Sequence, residues 1–143
     1  MGNGDSLTKY AYTSNLDAGY YGFTDNKTVL EPEDDAAHVN LGGKWRMPTP
    51  AEWEELYDCK RSWDMVANGI WFTSNINGKS IFLPAAGEFY LTYLDGSTCH
   101  YWSSSLATSR APVYALYAYY SGSYHMMYSA YRSMGLTIRP VSE

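Results

Sequence analysis

The chain has 143 residues, with 17% charged and 17% aromatic side chains and a net charge of −5. Globular chains are ordinarily about 25% charged, so this one depends on aromatic contacts and neutral hydrogen bonds, and its length suffices for a single domain, 1–143, with a real core. No apolar run is long enough for a bilayer and no signal peptide is present, so direct membrane insertion is not expected; Met1-Gly2-Asn3-Gly4 reads as an artificial start that leaves export open.

Residues 1–28 are polar, with Gly and Asn/Asp turn signals and scattered Tyr, and predict irregular structure with at most a short strand. Glu31-Pro32-Glu33-Asp34-Asp35 predicts a helix start running to about Asn40, because Pro suits a first turn and acids oppose the positive end of the helix dipole. Gly42-Gly43 stops it. The clearest local signal follows. Thr49 is a good N-cap, Pro50 sits at the first helical position, and Glu52 completes a capping box. Trp53, Leu56 and Tyr57 then form one apolar stripe at i, i+3 and i+4. Lys60 to Asn68 gives no decisive pattern. Gly69 to Ser74 and Lys79 to Pro84 read as two strands around an Asn77-Gly78 hairpin turn. Ala85-Ala86-Gly87 requires small residues, where backbones approach closely. Asp95-Gly96-Ser97 is a further turn.

The last third differs in kind. Every Asp and Glu except Glu143 lies at or before Asp95, and Gly96 to Ser142 carries only Arg110, Arg132 and Arg139 as charges. Three arginines over that length do not make a phosphate-tracking surface, so nucleic acid is not expected as a partner. Tyr101 to Ser105 reads as a buried strand. Val113 to Tyr120 alternates with period two, Ser121-Gly122-Ser123 turns, Tyr124 to Met127 returns, and Leu136 to Val141 is a last strand. Eight tyrosines fall between Tyr101 and Tyr131. Tyr can fill a sheet core, but adjacent Tyr119 and Tyr120 cannot both point inward. Tyr among Ser, Gly and small residues is also the composition of antibody paratopes, where Tyr gives contact area at low entropy cost. Cys59 and Cys99 permit one disulfide or two free thiols, and their spacing does not suggest a metal.

Four segments together resemble a known family. GGKWRMPTPAEWEEL at Gly42–Leu56, SIFLPAAGEF at Ser80–Phe89, YWSSS at Tyr101–Ser105 and IRPV at Ile138–Val141 are similar to the Fibrobacter succinogenes major paralogous domain. The resemblance covers roughly Asp25 to Val141. It implies an α+β, C-type-lectin-like fold with two short helices and a mostly antiparallel, aromatic-rich sheet, in surface proteins of gut Bacteroidales. Residues 107–134 also contain no Lys, Glu, Gln or Trp. Apart from Met126, Met127 and Met134, their residue types can arise from an Asn codon by changing its adenines. This resembles the variable region of a diversity-generating retroelement protein, and places the variable, ligand-facing part at about 101–135 on a cell surface, outside the cell or on a phage particle. Glu31-Pro32-Glu33 is compared with the calcium-holding Glu-Pro-Asn loop of sugar-binding C-type lectins; no Trp-Asn-Asp strand follows, and the helix-start reading is preferred.

The expected function is non-catalytic binding of a protein or glycan. The contact residues expected are Ser109, Arg110, Ala111, Val113, Tyr114, Leu116, Ala118, Tyr120, Tyr124, His125, Tyr128, Ser129, Ala130, Tyr131, Ser133 and Met134. Arg139, Trp45, Trp53 and Trp102 are assigned to the frame. No cofactor or metal is expected. One alternative is an adhesin or structural module without a variable site. Another is a relative of the formylglycine-generating enzymes, which share an Arg-x-Pro-Thr-x-x-Glu-Trp-like segment. Cys59 and Cys99 do not match those enzymes' reactive pair, and after Asp95 only histidines could serve as a general base.

Overall fold

The computed structural model describes residues 9–11, 24–110, 114–122 and 124–142. Two short helices, α1 (Ala36–Leu41) and α2 (Pro50–Glu55), stand against small antiparallel sheets, an α+β arrangement. No helix among these residues is long and apolar enough to cross a membrane.

The first helix begins later than Pro32. Residues 32–34 form a turn, and Asp35 is the N-cap. Its carboxylate is buried and accepts from Ala37 and His38 backbone N–H through Oδ1, and from Met47 N–H, 2.8 Å away, through Oδ2. One side chain therefore closes the helix start and ties it to the next segment, a stronger fixation than a proline alone provides. Gly42 ends the helix at φ +66°, with its N–H on His38 O, a backbone position that glycine adopts without strain. The second helix starts as its sequence requires. Glu52 N–H donates to Thr49 Oγ1, Glu52 Oε2 accepts from Thr49 N–H, and Arg46 clamps the same carboxylate with two contacts of 2.7 Å.

Strand β1 (Trp45–Arg46) pairs with β11 (Val141–Ser142), bringing the ends of the segment from Trp45 to Ser142 together. Strands β2 (Lys60–Asp64), β3 (Gly69–Thr73) and β4 (Ser80–Pro84) form one sheet, with the hairpin turn around Asn77-Gly78. Lys60 to Asp64 is thus a strand; Asp64 then caps the following turn by accepting from Val66 and Ala67 N–H. Strands β5 (Glu88–Tyr90) and β6 (Tyr93–Asp95) form a short hairpin that β10 (Gly135–Leu136) extends. Gly87 stands at its base with φ +67°, and a Cβ there would lie 1.2 Å from Asp95 O. The expected strand from Leu136 to Val141 is instead two strands, β10 and β11, separated by residues 137–140, which include Pro140 with no N–H to donate.

The fourth sheet carries the longest strands: β7 (Cys99–Leu106), β8 (Tyr114–Ser121) and β9 (Tyr124–Tyr131), in that order. Its inner face meets α2 and the sheet β2–β3–β4. Trp53, Ile70, Phe72, Leu83, Cys99, Tyr101, Ala118 and Tyr120 form this core. Trp53 packs on Tyr101 and Tyr120 with centroids at 5.5 and 6.3 Å, and Phe72 meets Tyr120 edge-on at 4.9 Å. Buried polar tips find partners: Tyr120 OH donates to Trp53 O, Tyr101 OH to Pro84 O and Trp53 Nε1 to Trp102 O. Trp53 is frame as expected. Trp45 is 41% exposed and Arg139 is exposed, so the side chains of these two do not serve the core. Cys59 and Cys99 are separate free thiols, Cys99 fully buried.

Candidate ligand-binding face

Period-two alternation divides β8 and β9 into two faces. Tyr117 opposes Tyr128, Tyr119 opposes Met126 and Ser121 opposes Tyr124 on one side; Ala118 opposes Met127 and Tyr120 opposes His125 on the other. The second set belongs to the core. Ala118 and Tyr120 are fully buried, and Ala130 is buried as well at 7% exposure. The expectation that Ala118, Tyr120 and Ala130 contact a ligand is therefore corrected. Trp53, Tyr57 and Phe72 claim the Tyr120 ring, and Ala118 is small because it lies beneath the core cluster. The tyrosines of β8 on the opposite side are Tyr117 and Tyr119, which are absent from the expected contact residues. A signal for them was present: Leu116, Ala118 and Tyr120 form the more apolar parity, and a core takes that parity.

The other expected contact residues are scattered over both faces and the far end of the sheet. Tyr124 and Tyr128 stand on the outer face and are exposed. Leu116 and Ser129 are half-buried, and Leu116 O accepts from Ser103 Oγ. His125 is half-buried between Tyr57, 4.3 Å away, and the Arg61 guanidinium, which touches its Nδ1. Tyr114 and Tyr131 stack at 4.5 Å at the far end of the strands, with the Arg110 guanidinium 5.6 Å from the Tyr114 centroid. Ser109 is exposed beside Arg110; Ser133 is exposed and Met134 half-buried in the turn after β9. Ala111 and Val113 lie outside the described residues.

The outer face thus assembles a continuous aromatic group. Tyr117 and Tyr128 lie nearly parallel with centroids 6.1 Å apart, and Tyr119 stands edge-on to both Tyr128 and Tyr124. His100, on β7, packs 5.3 Å from Tyr117 and 5.0 Å from Tyr119. Trp102 meets Tyr117 edge-on at 6.1 Å. The hairpin β5–β6 borders this group, because Glu88 Oε2 lies 3.4 Å from His100 Nδ1. Phe89, Tyr90, Leu91, Tyr93 and Leu94 are all exposed on that hairpin. Its sequence offers no polar alternation and no Gly or Asn turn, and Leu91 makes the turn at φ +56°. No strand signal was therefore legible there.

The face is neutral apart from its acids. Burial pushes the Tyr117 hydroxyl up to about 12, with Glu88 adding to the effect. A hydrogen-bonding relation with Tyr128 raises Tyr124. Burial lowers His100, against the opposing pull of Glu88 and Asp95. Such a surface can stack, accept and donate hydrogen bonds, and attract positive charge.

Elsewhere, Glu31, Glu33 and Asp34 bring carboxylate oxygens close enough to hold a cation. The Lys9 ammonium lies among them, 2.7 Å from Asp34 and 3.7 Å from both Glu31 and Glu33, so a side-chain cation already answers that charge. A cavity of about 200 Å³ lies on the other half of β7, lined by Tyr10, Leu30, Met47, Trp102, Arg132 and Ile138 among others. Comparisons with models of protein families, with curated proteins and with solved structures find no match to this chain.

Proposed function

We propose that the domain is a non-catalytic recognition module that binds a protein or glycan through the outer face of β7–β8–β9. The observation that carries this reading is the outward set Tyr117, Tyr119, Tyr124 and Tyr128, on a sheet whose other face carries the core. Tyrosine is the side chain best suited to such a surface, since it offers a large amphipathic contact with few rotatable bonds. Tyr124 and Tyr128 are 53% and 42% exposed, more than a core requires, and the neighbouring hairpin adds five exposed apolar or aromatic residues.

The C-type-lectin-like fold and the membership in the Fibrobacter succinogenes major paralogous domain family belong to the same proposal. They are supported by the four sequence segments and by the pairing of β1 with β11 around a mostly antiparallel body. So does the retroelement-diversified origin of residues 101–135, supported by the codon-compatible composition of 107–134. In this reading the diversified positions that meet a ligand are Tyr117, Tyr119, Tyr124 and Tyr128 rather than the buried Ala118, Tyr120 and Ala130. A location on a cell surface, outside the cell or on a phage particle accompanies it.

The test is a selection of displayed peptides and a glycan array probed with the wild-type domain and with a triple variant, Tyr119→Ser, Tyr124→Ser and Tyr128→Ser. Tyr124 and Tyr128 are exposed and Tyr119 is half-buried on the same outer face, so the variant is expected to melt cooperatively. Binders found with the wild type are expected to lose it. Binders that retain full affinity for the folded triple variant would place recognition elsewhere.

A further inference from the structure

The charge around the aromatic group is one-sided. Glu88 approaches His100, and the groups acting on His100 and Tyr117 are Glu88, Asp95 and neighbouring phenols, with no Lys or Arg among them. Among the described residues no lysine or arginine pairs with Glu88. Its polar neighbour, His100, is 5% exposed, and His100 Nδ1 has no hydrogen-bond partner. A carboxylate and a buried imidazole thus meet beneath an aromatic surface without a cation between them. By alternation Tyr90 and Tyr93 lie on the same side of their hairpin as Glu88 and Asp95, and both are exposed. Acid and rings therefore occur together on two adjoining elements. By contrast the domain's other clustered acids, Glu31, Glu33 and Asp34, are answered by Lys9.

Tyrosine faces attract cations when the charge comes within about 6 Å of the ring centre, and a nearby carboxylate strengthens that attraction.

We infer that the outer face takes a basic polypeptide: a segment lying across the strands, with arginine or lysine side chains over Tyr119 and Tyr128 and at Glu88. This rests on the recognition reading above and narrows it to one ligand chemistry. A glycan of neutral sugars meets the rings equally well and can donate hydroxyls to Glu88, but gains no charge pairing from it.

The experiment uses a synthetic peptide, acetyl-Ser-Arg-Ser-Arg-Ser-Arg-Ser-amide, and the same peptide with glutamine for arginine. Each is titrated calorimetrically into the domain at low and at high salt, beside a neutral oligosaccharide, cellohexaose. The arginine peptide is expected to bind at least roughly ten-fold more tightly than the glutamine peptide and to weaken with salt. Glu88→Gln is expected to weaken it roughly five-fold and Tyr128→Ser at least as much, with cooperative melting retained in both. Should Glu88→Gln fail to melt cooperatively, the salt dependence and Tyr128→Ser decide in its place. Equal affinity for both peptides, no binding of the arginine peptide, or binding indifferent to both substitutions would overturn the inference. If cellohexaose binds in a Tyr128-dependent manner and the arginine peptide does not, the cationic ligand is wrong while the tyrosine face remains the binding surface. If the arginine peptide binds the Tyr128→Ser variant at full strength, that support for the face is lost as well.

Discussion

Adjacent tyrosines on one strand give a sharp test of which face is core. Tyr120 is fully buried, its ring packed by Trp53, Tyr57 and Phe72 and its hydroxyl donating to Trp53 O at 3.0 Å. Replacing it with alanine removes a whole ring from a close-packed site and should cost about 3–5 kcal/mol. Against a total stability of about 5–15 kcal/mol, that is roughly a fifth of the margin or more. With a urea slope of about 2 kcal/mol per molar, the unfolding midpoint should fall by roughly 2 M. Tyr120→Phe keeps the ring and removes the hydroxyl alone. Trp53 O still accepts from Leu56 N–H, so the cost is about 1 kcal/mol. Tyr119→Ala removes contacts with His100, Tyr124 and Tyr128 from a half-buried position on the other face, and about 1 kcal/mol or less is expected. Urea titrations followed by tryptophan fluorescence measure all three. If Tyr119→Ala costs as much as Tyr120→Ala, the assignment of faces is wrong, and with it the binding surface.

Further outcomes follow from the same structure. Asp35→Ala leaves Ala37, His38 and Met47 N–H without their acceptor at a buried helix start, so a loss of about 2–4 kcal/mol is expected by chemical denaturation. Arg46 holds the Glu52 carboxyl at about 2, below its ordinary 4.5, so the stability it contributes is present above about pH 4.5 and is lost as pH falls through about 2. Glu52→Gln should therefore be less stable by about 1–2 kcal/mol at pH 7, a figure reduced for partial exposure, and the difference should vanish near pH 2 in a pH series of melts. Burial pushes the Cys99 thiol up to about 12, while Cys59 is partly exposed. A disulfide-exchange reagent should modify Cys59 in the folded domain and reach Cys99 only on unfolding; equal rates would show that β7 is open.

What the sequence disclosed was what is decided locally. Thr49, Pro50 and Glu52 fix the start of α2 within four residues, and Asn77-Gly78 fixes a hairpin between runs of apolar residues; both stand where the pattern put them. The start of α1 was misplaced because Asp35 also binds Met47 N–H, twelve residues away, a contact that no window of sequence displays. Strand β8 was legible as a strand, but its orientation was signalled only weakly by the apolar parity of Leu116 and Ala118, since Tyr occupies both parities and Trp53 and Phe72 on other elements claim the Tyr120 ring. His100 and Glu88 joined the candidate face only once the hairpin β5–β6 was folded beside β7. Tyr124 and Tyr128 were therefore named from composition, and Tyr117 and Tyr119 joined them only in three dimensions.

The most direct measurement is a nuclear magnetic resonance titration that follows tyrosine ring and backbone amide signals as the tightest binder from the peptide and glycan panels is added. Recognition through the outer face predicts that the ring signals of Tyr117, Tyr119, Tyr124 and Tyr128 move together with the amides of Glu88 and His100, while those of Tyr101 and Tyr120 stay in place. Shifts confined to the Glu31–Asp34 turn or to the surroundings of Trp45, with the outer tyrosines unmoved, would contradict it.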